Sequence, residues 1–170
     1  MARRLLLLPL FLFFFSAPAG AQRWMDAFAG YSYQGLYRLP NAIPGRNLDG
    51  VEISVQYKFK DWLGVVGQVD GHYGLPSGPS VASLNILVGP QISRPYHAYS
   101  PFAHVLVGYG HAYTNGIWDN SFATSIGGGV DLHLRPLLSW RMFEVDDVIT
   151  HYFGGYEHNP RITTGVILRF

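Results

Sequence analysis

"VEISVQYKF", residues 51–59, alternates without a break: Val51, Ile53, Val55, Tyr57 and Phe59 fall on one side of an extended chain, and Glu52, Ser54, Gln56 and Lys58 on the other. Side chains switch faces at every residue in a β-strand, so the stretch reads as a strand with one apolar and one polar face. The last ten residues, "RITTGVILRF" (161–170), repeat the pattern, with Ile162, Thr164, Val166, Leu168 and Phe170 set against Arg161, Thr163, Gly165, Ile167 and Arg169. Which of the two faces meets the rest of the protein, and which its surroundings, decides the fold.

Working outward, the same alternation recurs. "WLGVVGQVDGHYG" (62–74) opposes Leu63, Val65, Val69 and Tyr73 to Gln68, Asp70 and His72. In "SLNILVGPQIS" (83–93), Leu84, Ile86, Val88 and Ile92 oppose Ser83, Asn85, Gly89 and Gln91. "PFAHVLVGYGHA" (101–112) sets Val105, Val107 and Tyr109 against His104, Leu106, Gly108 and Gly110. "SFATSIGGGVDL" (121–132) sets Phe122, Thr124, Ile126, Val130 and Leu132 against Ala123, Ser125, Gly127, Gly129 and Asp131. With "MDAFAGYSY" (25–33) and "RMFEVDDVIT" (141–150) this makes eight strands of roughly ten residues, the length that crosses a bilayer when tilted. A secreted β-sandwich would bury the aromatic residues in a core, but it has no need of Gln, Asp, His and Arg at mid-strand on its second face.

The N-terminus, "MARRLLLLPLFLFFFSAPAGAQ", has Arg3 and Arg4, an apolar run from Leu5 to Phe15, and Ala19 and Ala21 where a signal peptidase reads. It reads as a secretory signal peptide cut after Ala21, since the apolar run is too short for a spanning helix. Residues 22–170 then form one domain. Cleavage removes both arginines, turning the formal charge of +1 into about −1, and no basic patch points to nucleic acid. The chain has no cysteine, so neither a disulfide framework nor a thiolate site is available. No apolar stretch after Ala21 is long enough for a spanning helix, so any passage through a membrane is by strands.

These readings combine into an all-β, eight-stranded antiparallel transmembrane up-and-down β-barrel, apolar faces outward and mixed faces inward. The segments around 35–48, 74–80, 113–119 and 153–160 are the looser loops, and those near Lys60, 93–99 and 135–139 are shorter. The looser set is assigned to the cell exterior and the shorter set, with both termini, to the periplasm. Trp24, Phe59, Trp62, Phe102, Trp140 and Phe170 are expected in the periplasmic aromatic girdle, and Tyr31, Tyr33, Tyr73, Tyr109 and Phe122 in the outer one.

The signal peptide, "GYSY" (30–33), "YKFKDWLGVVGQVDGHYG" (57–74), "PFAHVLVGYGHA", "SFATSIGGGVDL" and the aromatic-terminated "RITTGVILRF" resemble the small bacterial outer-membrane β-barrel proteins related to the OmpA transmembrane domain and to OmpX, over essentially all of residues 22–170. The resemblance implies a location in the outer membrane, lipid as surroundings, periplasmic chaperones and the barrel assembly machinery as partners, and a monomer. It also implies that Ile162, Thr164, Val166, Leu168 and Phe170 form the signal that the assembly machinery reads, with Thr164 a mild departure. No peptidoglycan-binding segment follows Phe170, so a cell-wall tether is not implied. The architecture hosts several functions, and the resemblance chooses none of them.

The inward faces carry Glu52, Asp70, Asp131, Glu144 and Asp146 together with Lys58, Arg161 and Arg169, and the histidines His72 and His104. Eight strands leave an interior that side chains just fill, so these groups are expected to pair as a buried network that plugs the barrel. Strands seven and eight are neighbours, which favours Glu144 or Asp146 facing Arg161 or Arg169. Asp147 is turned outward by alternation from Phe143 and Val145. It is expected either to lie near the headgroups, the preferred reading, or to be re-aimed by a bulge after Val145.

Catalysis, cofactors and metal are not expected. Asp70 and His72 share a face, and barrel enzymes that modify lipid A use His, Ser and an acidic residue, but Ser121 and Ser125 form no tight His-x-Ser pair. His104 and His111 point to opposite faces. "VGYG" (107–110) lacks the helices that frame a potassium filter, and "GGG" (127–129) opens no helix and so cradles no phosphate. The expected function is a non-enzymatic envelope barrel with short outer loops. A small porin is the main rival, with an adhesin or a lipid A-modifying enzyme behind it.

Overall fold

The computed structural model describes residues 24–35, 47–74, 81–114, 117–152 and 155–170, and all its regular structure is strand. The strands are β1 (Met25–Gly35), β2 (Asn47–Lys60), β3 (Leu63–Gly74), β4 (Val81–Ser93), β5 (Tyr99–Thr114), β6 (Ile117–Arg135), β7 (Leu138–Tyr152) and β8 (Gly155–Arg169). Each pairs antiparallel with the next, and β8 returns to β1 from Asp26↔Arg169 to Gln34↔Arg161. The sheet is therefore a closed barrel with no free lateral edge. Main-chain bonds between Met25 and Phe170 in both directions, at 3.3 and 2.8 Å, carry the closure to the end of the chain.

The burial pattern is that of a protein turned inside out. Val51 is 63% exposed and Ile53 59%, whereas Glu52 between them is 1% exposed. The same inversion runs along β3 and β4, with Val69, Ile86 and Val88 outside and Gln68, Asp70 and Asn85 enclosed. An outer wall this apolar is stable only against a hydrophobic medium, while many of the enclosed polar groups find partners in one another. Part of the interior is apolar too: Val66, Leu87, Leu106 and Ala123 form a cluster on the wall made by β3 to β6.

Several expectations are corrected. The strands run from 11 to 19 residues rather than about ten. They extend into the segments 117–119 and 155–160 expected as loop, because the β5–β6 and β7–β8 ladders continue there, to Thr114↔Ile117 and Tyr152↔Gly155. The expected loops at 36–46 and 75–80, the tips 115–116 and 153–154, and the signal segment lie outside the described residues. Trp24, Phe59, Trp62 and Trp140 are exposed on the outer wall at the end that carries the termini, but Phe102 is not among them. It shares a face with His104 two residues on, so it is 7% exposed and inside the barrel.

Candidate functional site in the barrel interior

The inner wall is built strand by strand from alternate residues. β2 contributes Glu52, β3 Asp70 and His72, β5 His104, β6 Asp131, β7 Glu144 and Asp146, and β8 Arg161, all of them buried. Arg161 is the centre. Its side chain is fully buried, with Nη1 2.6 Å from Asp70 Oδ2 and Nη2 2.5 Å from Asp146 Oδ2, while Nε donates to the same Asp146 oxygen at 3.1 Å. Asp146 lies on the strand next to Arg161, but Asp70 is three strands away around the other side of the ring. The guanidinium therefore spans the lumen, and its planar fork suits two carboxylates at once.

Each carboxylate has further support. Asp70 accepts from Asn85 Nδ2 at 2.7 Å and Gln68 Nε2 at 3.2 Å. Asp146 Oδ1 lies 2.8 Å from His104 Nε2. Glu52 and Glu144 approach Arg161 Nη2 at 3.8 and 3.9 Å, beyond hydrogen-bond length. The Thr163 hydroxyl lies 3.2 Å from Glu52 Oε2 and 3.0 Å from Ser32 Oγ, linking the two.

A second guanidinium, Arg141 of β7, lies toward the end carrying the termini. It donates to Asp131 at 2.9 Å and to Glu144 at 2.5 Å, and its Cζ sits between the rings of Phe28 and Phe102, at 4.5 and 4.3 Å from their centroids. This explains why two aromatic residues turn inward: their faces take a buried cation. Strict alternation from Glu144 sends Arg141 to the outer wall. A bulge prevents this, because β7 places one residue more than β8 between Arg141↔Gly165 and Glu144↔Thr163. Met142 and Phe143 both face outward in consequence. A signal for the bulge was present in "RMFE": Arg141 and Glu144, three apart, cannot both face inward in a regular strand, and an arginine on the apolar face is costly.

Two glycines make the cross-links possible. Gly127 stands between His104 and Asp146 in register, and a Cβ there would collide with the Asp146 carboxylate. Gly50 stands between Ser32 and His72 in the same way, and a Cβ there would meet the His72 ring. In both places an imidazole reaches past a bare backbone to the strand beyond, His72 Nε2 lying 2.9 Å from Ser32 Oγ. Ser32, His72 and Asp70 thus lie in a nucleophile-base-acid order, with His72 Nδ1 3.3 Å from Asp70 Oδ1. The Ser32 hydroxyl is fully enclosed and lies 3.0 Å from the Thr163 hydroxyl.

Lys58 and Arg169 are half-buried near the mouth, where Lys58 Nζ pairs with Asp26 at 2.5 Å and Arg169 Nε lies 4.0 Å from the same carboxylate. Arg169 therefore does not meet Glu144 or Asp146, and Glu144 has its shortest ion pair with Arg141. Asp147 faces outward, its Oδ2 2.7 Å from His158 Nδ1, and β7 keeps its phase after Val145, since Asp146 and Val148 are both buried.

No protein-family model matches the sequence, and no curated protein is similar to it in sequence. Solved structures do superpose on the barrel. The attachment invasion locus protein Ail of Yersinia pestis matches with a TM-score of 0.62 at 15% identity, over 88% of this chain and 100% of that one. The chain has the fold of the small bacterial outer-membrane barrels. Neisserial surface protein A superposes with a TM-score of 0.67 at 11% identity, over 86% of this chain and 97% of that one. OprG of Pseudomonas aeruginosa does so at 0.60 and 14%, over 87% and 97%. Identities this low carry the architecture and leave the interior to be read from this chain's own residues.

Proposed function

We propose that the chain is an integral barrel of the bacterial outer membrane, with a structural role in the envelope and an interior plugged by its own ion pairs. Arg161 carries this reading: a fully buried guanidinium with carboxylates from β3 and β7 within 2.6 Å obstructs the lumen with side chains that cannot leave without unpaired charge. In this reading residues 1–21 are removed on export, and residues 22–170 form a monomer with its termini in the periplasm. Chaperones deliver it to the assembly machinery, which reads Ile162, Thr164, Val166, Leu168 and Phe170. The outward apolar wall and the exposed aromatic residues at its ends support lipid surroundings. Enclosure of the Ser32 hydroxyl favours a non-enzymatic role over a lipid-modifying one.

The test is single-channel recording of the purified, folded protein in a planar bilayer. A plugged barrel gives no steps from protein shown to have inserted. Stable, reproducible steps would replace this reading by that of a small porin.

A further inference from the structure

Among the described residues the middle of the barrel holds more acid than base. Glu52, Asp70, Asp131, Glu144 and Asp146 face the guanidiniums of Arg141 and Arg161, while Lys58 and Arg169 stay with Asp26 at the mouth, so with neutral imidazoles this group carries three negative charges in excess. The shortfall has a location. Glu144 Oε1 and Glu52 Oε1 are fully enclosed and accept no hydrogen bond, and both carboxylates approach Arg161 Nη2 only at 3.8–3.9 Å. Buried carboxylate oxygens without a donor are costly, and a native interior meets that cost with a proton or a cation.

We propose that His104, Glu144 and Asp146 bind one divalent transition cation of the zinc class inside the barrel. One ligand atom from each lies within 4.8 Å of the others. His104 Nε2 is 2.8 Å from Asp146 Oδ1 and 4.0 Å from Glu144 Oε1. Zinc takes nitrogen and oxygen at about 2.0–2.2 Å, so tetrahedral ligands stand roughly 3.3 Å apart, and these spacings bracket that value. Glu144 Oε1, which accepts no hydrogen bond, becomes a ligand while Oε2 keeps its bond from Arg141, and Gly127 leaves the side of the site free of any Cβ. One imidazole with two carboxylates selects zinc, cobalt or nickel over calcium or magnesium, which prefer oxygen alone. Occupancy would lower the uncompensated charge from three to one. The site does not depend on whether the lumen conducts.

The experiment takes untagged protein isolated from membranes of an expressing host, unfolds it in urea, and refolds it into detergent with zinc chloride, so that a closed wall cannot bar entry. Loosely held metal is then removed by gel filtration over chelator. The wild type should retain about one equivalent of zinc. X-ray absorption at the zinc edge should show one imidazole and otherwise oxygen ligands near 2.0 Å. His104→Gln should lower retention at least about tenfold, while His111→Gln and His158→Gln, on the outer wall, should leave it unchanged. Retention below about a tenth of an equivalent would mean that protons meet the charge, and would overturn the proposal. So would undiminished retention in folded His104→Gln, or a shell with two or more imidazoles. If His104→Gln does not fold, the wild-type ligand shell decides alone.

Discussion

Replacing Arg161 by leucine removes the guanidinium that joins Asp70 to Asp146 across the lumen. Both carboxylates stay buried, but neither is stripped bare. Asp70 keeps Asn85 and Gln68 as donors, and Asp146 keeps His104. Removing one partner of a buried ion pair costs about 3–5 kcal/mol, and the surviving donors place Arg161→Leu at the lower end, about 3 kcal/mol. Adding Asp70→Asn and Asp146→Asn to the same chain removes the stranded charges and should recover most of that loss. The assay is equilibrium urea unfolding in lipid vesicles, followed by tryptophan fluorescence and checked for reversibility. The single variant should show a lower midpoint with an unchanged slope, and the triple variant a midpoint restored toward wild type. A loss below about 1 kcal/mol, as for an exposed pair, would refute the claim that Arg161 holds the interior together. A triple variant no more stable than the single one would show that the loss comes from packing rather than stranded charge.

Three further outcomes are expected. Ile53→Arg places a cation at the middle of the outward face of β2 and should cost about 2–4 kcal/mol of stability in vesicles, by the same urea assay. Gly127→Ala forces a methyl into the Asp146 carboxylate and should cost about 1–3 kcal/mol, with the change at that interior site read by backbone amide shifts of β5 to β7. Phe170→Ser should reduce the amount of folded barrel recovered from cell envelopes, measured by gel mobility before and after heating. Refolding of the same variant in vitro should be nearly unaffected, because the Phe170 contacts with Met25 are main-chain bonds.

The barrel's two-sidedness was legible in short stretches. Val51 to Phe59 shows it within nine residues because alternation is a property of the single strand, dictated by backbone geometry, and needs no partner. The inward set Glu52, Asp70, His104, Glu144, Asp146 and Arg161 follows from that alternation, strand by strand. Arg141 was not found because one extra residue in β7 reverses the phase, and a count by twos carries the error through silently. Phe102 was misplaced for a different reason. Its aromatic character suggested the girdle, whereas its position two residues before His104 already placed it inside.

By itself, then, the sequence determined the number of strands and, wherever the alternation runs unbroken, the faces of each strand, because both depend on residues close together in the chain. Partnership across the lumen was decided only by the tertiary structure. Arg161 meets Asp70 across 91 positions of sequence, and Arg169 meets Asp26 in place of Glu144. Such pairs depend on strand register, ring closure and the bulge at Met142 and Phe143, none of which leaves a periodic trace in the chain. The glycines show the same division: the chain shows only that positions 50 and 127 lack a side chain, and the closed sheet alone reveals which imidazole passes over each.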